Sequence, residues 1–193
     1  MIFKRYKLKV KIAKEKDGYG MDSLLIKGGE GMFSLVNNPV DSIFVNNGKE
    51  LFIPGSAIKG GFSFFMEKYG KKEWINFLGL NNNELPQDKK KRSGMLIKDI
   101  YLKDISSDNL KKKLLPIERH AEDEFTRAIL GSSKFNEERL FNTEFVGEIY
   151  IDYNEYNKNE INEIIEFLKE GMKYRLIPLG AGSNYTEFEL AEA

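Results

Sequence analysis

Cysteine is absent from the 193 residues, and histidine occurs once, at His120. Without cysteine there are no disulfides, no thiolate metal sites and no thiol nucleophile. With one histidine a His-rich zinc site is impossible, and a Ser-His-Asp triad has only His120 to draw on. No stretch approaches the about eighteen apolar residues that span a bilayer. Residues 1–16 alternate charged and apolar side chains and contain no apolar signal core. These absences predict a soluble, cytoplasmic protein with no membrane partner. Net charge is missing too, with 30 Lys+Arg against 30 Asp+Glu. The chain as a whole therefore lacks the basic excess that phosphate neutralisation favours.

What is present is enough for a core. At 41% hydrophobic and 12% aromatic the composition excludes wholesale disorder and fits one domain over residues 1–193. Charge is unevenly distributed. Basic residues gather at Lys4–Lys16, Lys89–Arg92 and Lys111–Lys113, and acidic ones at Glu118–Glu124 and Asp152–Glu170. The runs either form opposed basic and acidic faces or are simply solvated.

Tyr6, Leu8, Val10 and Ile12 alternate with Lys7, Lys9 and Lys11, which predicts a strand with one buried and one basic face. Residues 17–40 read as a long glycine-rich loop. Asn46-Asn47-Gly48 reads as a turn between two short strands. Ser56 is the expected N-cap of a helix whose apolar stripe is Ile58, Phe62, Phe65, Met66 and Tyr69. Phe64 falls off that stripe. Trp74–Leu78 reads as a helical turn, 80–93 as a polar loop and Met95–Lys103 as strand. Leu114–Ile117 reads as a short strand before an irregular stretch, Glu118 to Asn136. Leu140–Tyr153 is strand-like. A second helix, Lys158 to Glu170, is expected to stop at Gly171. Tyr174–Ile177, a glycine turn at Gly180–Asn184, and Tyr185–Leu190 complete the pattern. The order predicts an α+β fold with a ferredoxin-like (RRM-like) βαββαβ core. Its antiparallel sheet would carry insertions near 17–40, 80–93 and 118–139, the last a thumb-like hairpin. The sheet face away from the helices is one that related folds use to cradle RNA.

The strongest local signal is Phe52 to Gly61. A turn at Gly55 and Ser56 would expose backbone N–H groups at a helix N-terminus, and Lys59 would add a full charge. The bland reading is an ordinary capped helix whose Gly60 and Gly61 pack on the sheet. Ile53-Pro54-Gly55-Ser56-Ala57-Ile58-Lys59-Gly60 resembles the IPGSSLKG signature of the RAMP superfamily, and in particular the backbone subunit of type III CRISPR effectors. Val36-Asn37-Asn38-Pro39-Val40 resembles that family's VDNPV segment. Asp123–Ala128 is similar to its DRFTGGA stretch, and Leu140–Val146 to the LF-x-x-E-x-V strand that follows. Gly180–Asn184 sits where the family has a glycine-rich loop.

The resemblance implies an RNA-binding subunit of antiviral defense that assembles along CRISPR guide RNA. Its partners would be guide and target RNA, other effector subunits, and further copies of itself on the RNA. It implies RNA contacts at Gly55, Ser56, Lys59, Gly60, Arg119, Arg127, Gly180, Gly182, Ser183 and Asn184. It also implies a hairpin, within Glu118 to Phe141, that kinks guide–target pairing. The family's cutting aspartate is Asn37 here, and an amide is no general base or metal ligand at neutral pH. No target cleavage, metal or cofactor is therefore expected. Alternatives stay open: Asp41 or Asp22 as a replacement carboxylate in a target-RNA nuclease, with Asp17 in the same loop but no motif to recommend it, or His120 as the acid–base group of a repeat-RNA processing endonuclease. Ser63 and Glu124 stand where the family has arginines. The final loop lacks the family's Ser-Arg-Gly. Tyr19 and Phe33 are further candidates for base contact.

Overall fold

The computed structural model describes residues 3–12, 23–29, 32–79, 92–122, 129–154, 156–180 and 186–193. For residues 72, 119–122 and 129–134 it describes the backbone alone.

The basic alternating stretch forms β1, Phe3–Ile12, an interior strand of a six-stranded sheet. Tyr6, Leu8, Val10 and Ile12 are buried, as the period of two predicts. On one side β1 pairs antiparallel with β9, Thr186–Glu192, and on the other with β8, Glu144–Asp152. Two short strands, β4 (Met95–Ile97) and β5 (Ile100–Leu102), share the far edge of β8. Lys98 and Asp99 interrupt them. β3, Phe52–Ile53, pairs with β5 and closes the order β3-β5-β8-β1-β9. The fold is thus α+β with an antiparallel sheet, and it is compatible with a ferredoxin-like core.

Two helices cover the apolar sheet face. Helix α1, Gly55–Tyr69, contributes Ile58, Phe62, Phe65 and Met66 to the core, and Tyr69 at the end of the stripe is half exposed. Ser56 is not the N-cap. Pro54 holds that position, and the helix has no side-chain cap of its own. Pro54's ring fixes φ near the value observed, −57°, so the entry turn is set by the proline. A third helix in chain order packs beside α1. Before it comes α2, Ser107–Lys113, a short polar helix that the apolar periodicity does not reveal because it buries nothing. Ser106 caps it by accepting the Asn109 N–H. Helix α3, Lys158–Lys173, is capped by Asn157, which accepts from the Asn159 N–H. It runs past the expected stop at Gly171. That glycine lies against the Phe65 ring, where a Cβ would collide. Its absence of side chain serves helix packing, not helix termination. The expected strand Tyr174–Ile177 is instead a turn, with Arg175 at φ 54°. Trp74–Leu78 lies in a 3-10 helix, Lys72–Leu78.

A second sheet stands on the first. Its strands are β2 (Ser23–Leu24), β6 (Leu114–Glu122) and β7 (Ile129–Phe141), in the order β2-β7-β6. The stretch expected to be irregular, Glu118 to Asn136, is mostly a long hairpin. Its register runs from Leu114↔Leu140 to His120↔Lys134 and slips before Glu122↔Ile129. The hairpin falls where the inserted thumb-like hairpin is expected, within 118–139, and its strands extend back to Leu114 and on to Phe141. Leu24, Leu114 and Leu140 join the same core as β1 and β8.

Gly60 and Gly61 differ. A Cβ on Gly61 would overlap the Pro178 carbonyl oxygen, whereas Gly60 has no atom within 4 Å of that position. Gly61→Ala is therefore expected to cost about 1–3 kcal/mol through forced backbone movement. Gly60→Ala should stabilise the helix by up to about 1 kcal/mol. Urea denaturation of the two variants reads both signs, and a neutral Gly61→Ala would contradict this packing.

Candidate nucleic-acid interface

The turn into α1 is built from β3 and the break between β4 and β5. Ala57 and Ile58 donate their N–H groups to the Pro54 carbonyl, at 2.9 and 3.4 Å. Gly55 donates its N–H to Asp99 Oδ1 at 2.8 Å. The first free amide of the expected phosphate cradle is therefore already taken by a carboxylate. Gly55 is also buried against the Ile97 backbone, where a Cβ would overlap it. Its glycine is required by packing. What the turn leaves open is Ser56, exposed, and the bare backbone at Gly60. Lys59 lies between them, one turn after Ser56. Partial burial holds its ammonium below its ordinary pKa. Among the described residues no carboxylate forms an ion pair with it.

The cations of β1 behave differently. Glu residues on β8 and β9 face them across the sheet. Lys11 lies opposite Glu144 and Glu187, and Lys9 opposite Glu189. Lys11 and Lys9 both reach Glu189, Lys9 at 3.7 Å, and Arg5 reaches Glu148 at 3.3 Å. The hydrogen bond from Lys11 pulls the Glu189 carboxyl below its ordinary pKa. The open sheet face is thus a mosaic of paired charges, not the basic face that strand alternation suggested. Beside it Phe52 and Tyr101 pack with ring centres 6.0 Å apart, and Lys98 sits 4.7 Å over Tyr150.

The first loop is held on the root of the hairpin. Asn37 is exposed and lies at φ 60°, the left-handed region that Asn and Asp tolerate best among non-glycines. Asn38 donates to Leu114 O and to Glu138 Oε1, at 3.1 and 3.0 Å. Asp41 is tied down: its Oδ2 accepts the Asn136 N–H at 2.8 Å, and its own N–H donates to Asn136 O at 2.9 Å. Its carboxylate joins loop to hairpin, which explains its presence without any chemistry. Phe33 is 84% exposed, and its carbonyl accepts from the buried Asn46 amide at 3.1 Å. Phe64 is half exposed with Lys68 5.6 Å from its ring, while Phe62 and Phe65 belong to the core. Gly180 takes φ 69° against the Leu25 carbonyl, which brings the final turn onto the segment after β2.

Other sequence candidates fall outside what is described. Arg119 and His120 are placed on β6 by their backbone, opposite Phe135 and Lys134, but their side chains lie outside the described set. Asp17, Tyr19, Asp22, Glu124, Arg127, Gly182, Ser183 and Asn184 lie wholly outside the described residues. Among the described residues no group of three or more His, Asp or Glu side chains is arranged to hold a metal ion. No described helix is long and apolar enough to cross a membrane.

Sequence reading missed two groups of residues. Asp99 is visible only as a polar interruption in the strand-like run Met95–Lys103. Glu138 is fully buried, and Glu137 and Arg139 are nearly so, although three charged residues in a row read as solvated. No family model and no curated protein matches this chain.

Proposed function

We propose that this chain is an RNA-holding subunit of the RAMP type, with a ferredoxin-like core. In this reading it assembles along guide RNA with other subunits of a type III-like CRISPR effector. It holds RNA and does not itself cut the target, because Asn37 stands at the carboxylate position. The observation that carries the reading is a contrast between two sets of lysines. On β1, Lys4, Arg5, Lys9 and Lys11 are paired with Glu192, Glu148 and Glu189. Lys59 is partly buried and unmatched among the described residues, next to the open backbone of Gly60. An unneutralised cation that already bears a desolvation cost gains more from a phosphate than a paired, solvated one. The motif around it, Ile53 to Gly60, is also the one with the most specific family resemblance. The strand order and the long hairpin between β5 and β8 accord with the same reading. The mosaic sheet face directs RNA toward the helix turn and the first loop, away from the open sheet.

The test is RNA binding by the purified chain, measured by fluorescence anisotropy over a salt series. Wild type should bind single-stranded RNA with an affinity that falls steeply with salt. Lys59→Ala should weaken binding about tenfold, about 1.4 kcal/mol, and reduce the salt slope by about one. Thermal stability should be nearly unchanged. Equal binding by the variant would remove Lys59 from the interface, and no RNA binding by wild type would end the proposal.

A further inference from the structure

Glu138 is fully buried on β7, and among the described residues no cation pairs with it. It is satisfied by three donors, all from the segment between β2 and β3. Ser34 Oγ donates to Oε1 at 2.5 Å and Asn38 Nδ2 donates to the same oxygen at 3.0 Å. The Phe44 N–H donates to Oε2 at 3.0 Å. Ser34 Oγ in turn accepts the N–H groups of Val36 and Asn38, both at 3.1 Å. One carboxylate oxygen thus closes the turn 34–38 from both ends, and Asn37 is the exposed residue at its tip. The backbone reinforces the attachment: Glu138 N–H donates to Ser42 O at 2.8 Å, and Ser42 bridges to Glu137 in parallel. This lies along the edge of β7 that β6 leaves free.

A buried carboxylate with no cation is costly unless every lone pair in reach is used. A core position on a hairpin would ordinarily be apolar, so the cost needs a return. We propose that Glu138 is a positioning residue: it locks the turn that carries Asn37 to the root of the β6–β7 hairpin, so that loop and hairpin present one rigid surface. For what that surface meets, this rests on the RNA-holding reading; for the lock itself it does not.

Amide hydrogen exchange of the RNA-free chain tests the lock directly. Glu138→Gln keeps the volume but turns an NH2 group toward donors, so at least one of the three bonds is lost. The amides of Asn38 and Phe44 should exchange at least about tenfold faster, about 1.4 kcal/mol of lost protection. Those of Leu8 and Val10 in β1 should stay within about twofold. Ser34→Ala leaves the carboxylate two donors and risks the fold less; it removes the acceptor of the Asn38 N–H outright, so there the Phe44 amide is the reporter, and it should exchange faster than in wild type by less than in Glu138→Gln. Unchanged loop exchange in both variants would overturn the lock. Equal acceleration in loop and β1 in both would also overturn it, since Glu138 would then be a general core residue. A second arm adds RNA. RNA should protect the Asn38 and Phe44 amides in wild type and not in Glu138→Gln. If wild type binds no RNA, the functional reading fails while the exchange result on the free chain still decides the lock.

Discussion

Arg139→Ala is expected to lower the unfolding free energy by about 3–5 kcal/mol, the range for removing one partner of a buried ion pair. Arg139 Nε lies 3.2 Å from Glu137 Oε2, with the two side chains only 6% and 4% exposed. Arg139 Nη1 also donates to Ser23 Oγ at 3.1 Å, which ties β2 to β7. Lys27 is 4.0 Å from the other Glu137 oxygen, but its own side chain is 57% exposed, so water screens it. Removing Arg139 takes from the buried Glu137 carboxylate its partner at 3.2 Å. The loss should appear as a melting temperature lower by roughly 6–20 °C for a domain of this size. Arg139→Met with Glu137→Leu should recover most of the loss, because the pair's net contribution over an apolar substitute is small. A single-variant loss under about 1 kcal/mol would mean that the pair is solvated and the second sheet loosely attached.

Asn37→Asp is expected to convert a holder into a cutter under the proposed function. Asn37 is exposed at φ 60°, a conformation that Asp adopts as readily. The turn around it is held by Ser34 and Asn38, which the substitution does not touch. The fold should therefore change by no more than about 0.5 kcal/mol. A carboxylate there supplies a proton acceptor or one magnesium ligand, with RNA phosphate oxygens completing the ion's shell. The assembled complex carrying Asn37→Asp should cleave target RNA at regular spacing in magnesium, about 10²–10⁴-fold above the wild-type complex. Asn37→Ala should leave the background unchanged. If a complex that assembles normally with Asn37→Asp leaves its target intact, Asn37 is not at the cutting position. Asp41 enters as a control. Because its carboxylate accepts the Asn136 N–H, Asp41→Ala should loosen the loop, whereas Asp41→Asn, whose amide oxygen can accept the same bond, removes only a carboxylate that could act on RNA.

Much of the scaffold was legible in local pattern. The alternation in β1, the stripe of α1 and the amphipathic α3 each place their own buried residues, since period and burial are set within a dozen neighbours. The stripe leaves Phe64 outside the core, and it is half exposed. Helix ends were less legible. Pro54 displaced Ser56 as N-cap, and Gly171 turned out to be a seat for the Phe65 ring. At Gly171 a neighbour distant in sequence decided the role, and at the N-cap the rigid ring of the adjacent Pro54 did.

The charged residues mark the division most clearly. The sequence by itself determined how many cations and carboxylates the chain has, which strands and helices carry them, and that no thiol or histidine cluster is available. Only the tertiary structure decided which of them are neutralised. It set Glu189 and Glu148 against the lysine-rich strand, left Lys59 unmatched among the described residues, and drew Glu137, Glu138 and Arg139 out of water. The physical reason is that pairing and desolvation act over a few ångströms in space. Residues 5 and 148, or 34 and 138, become neighbours only when the sheet and hairpin close.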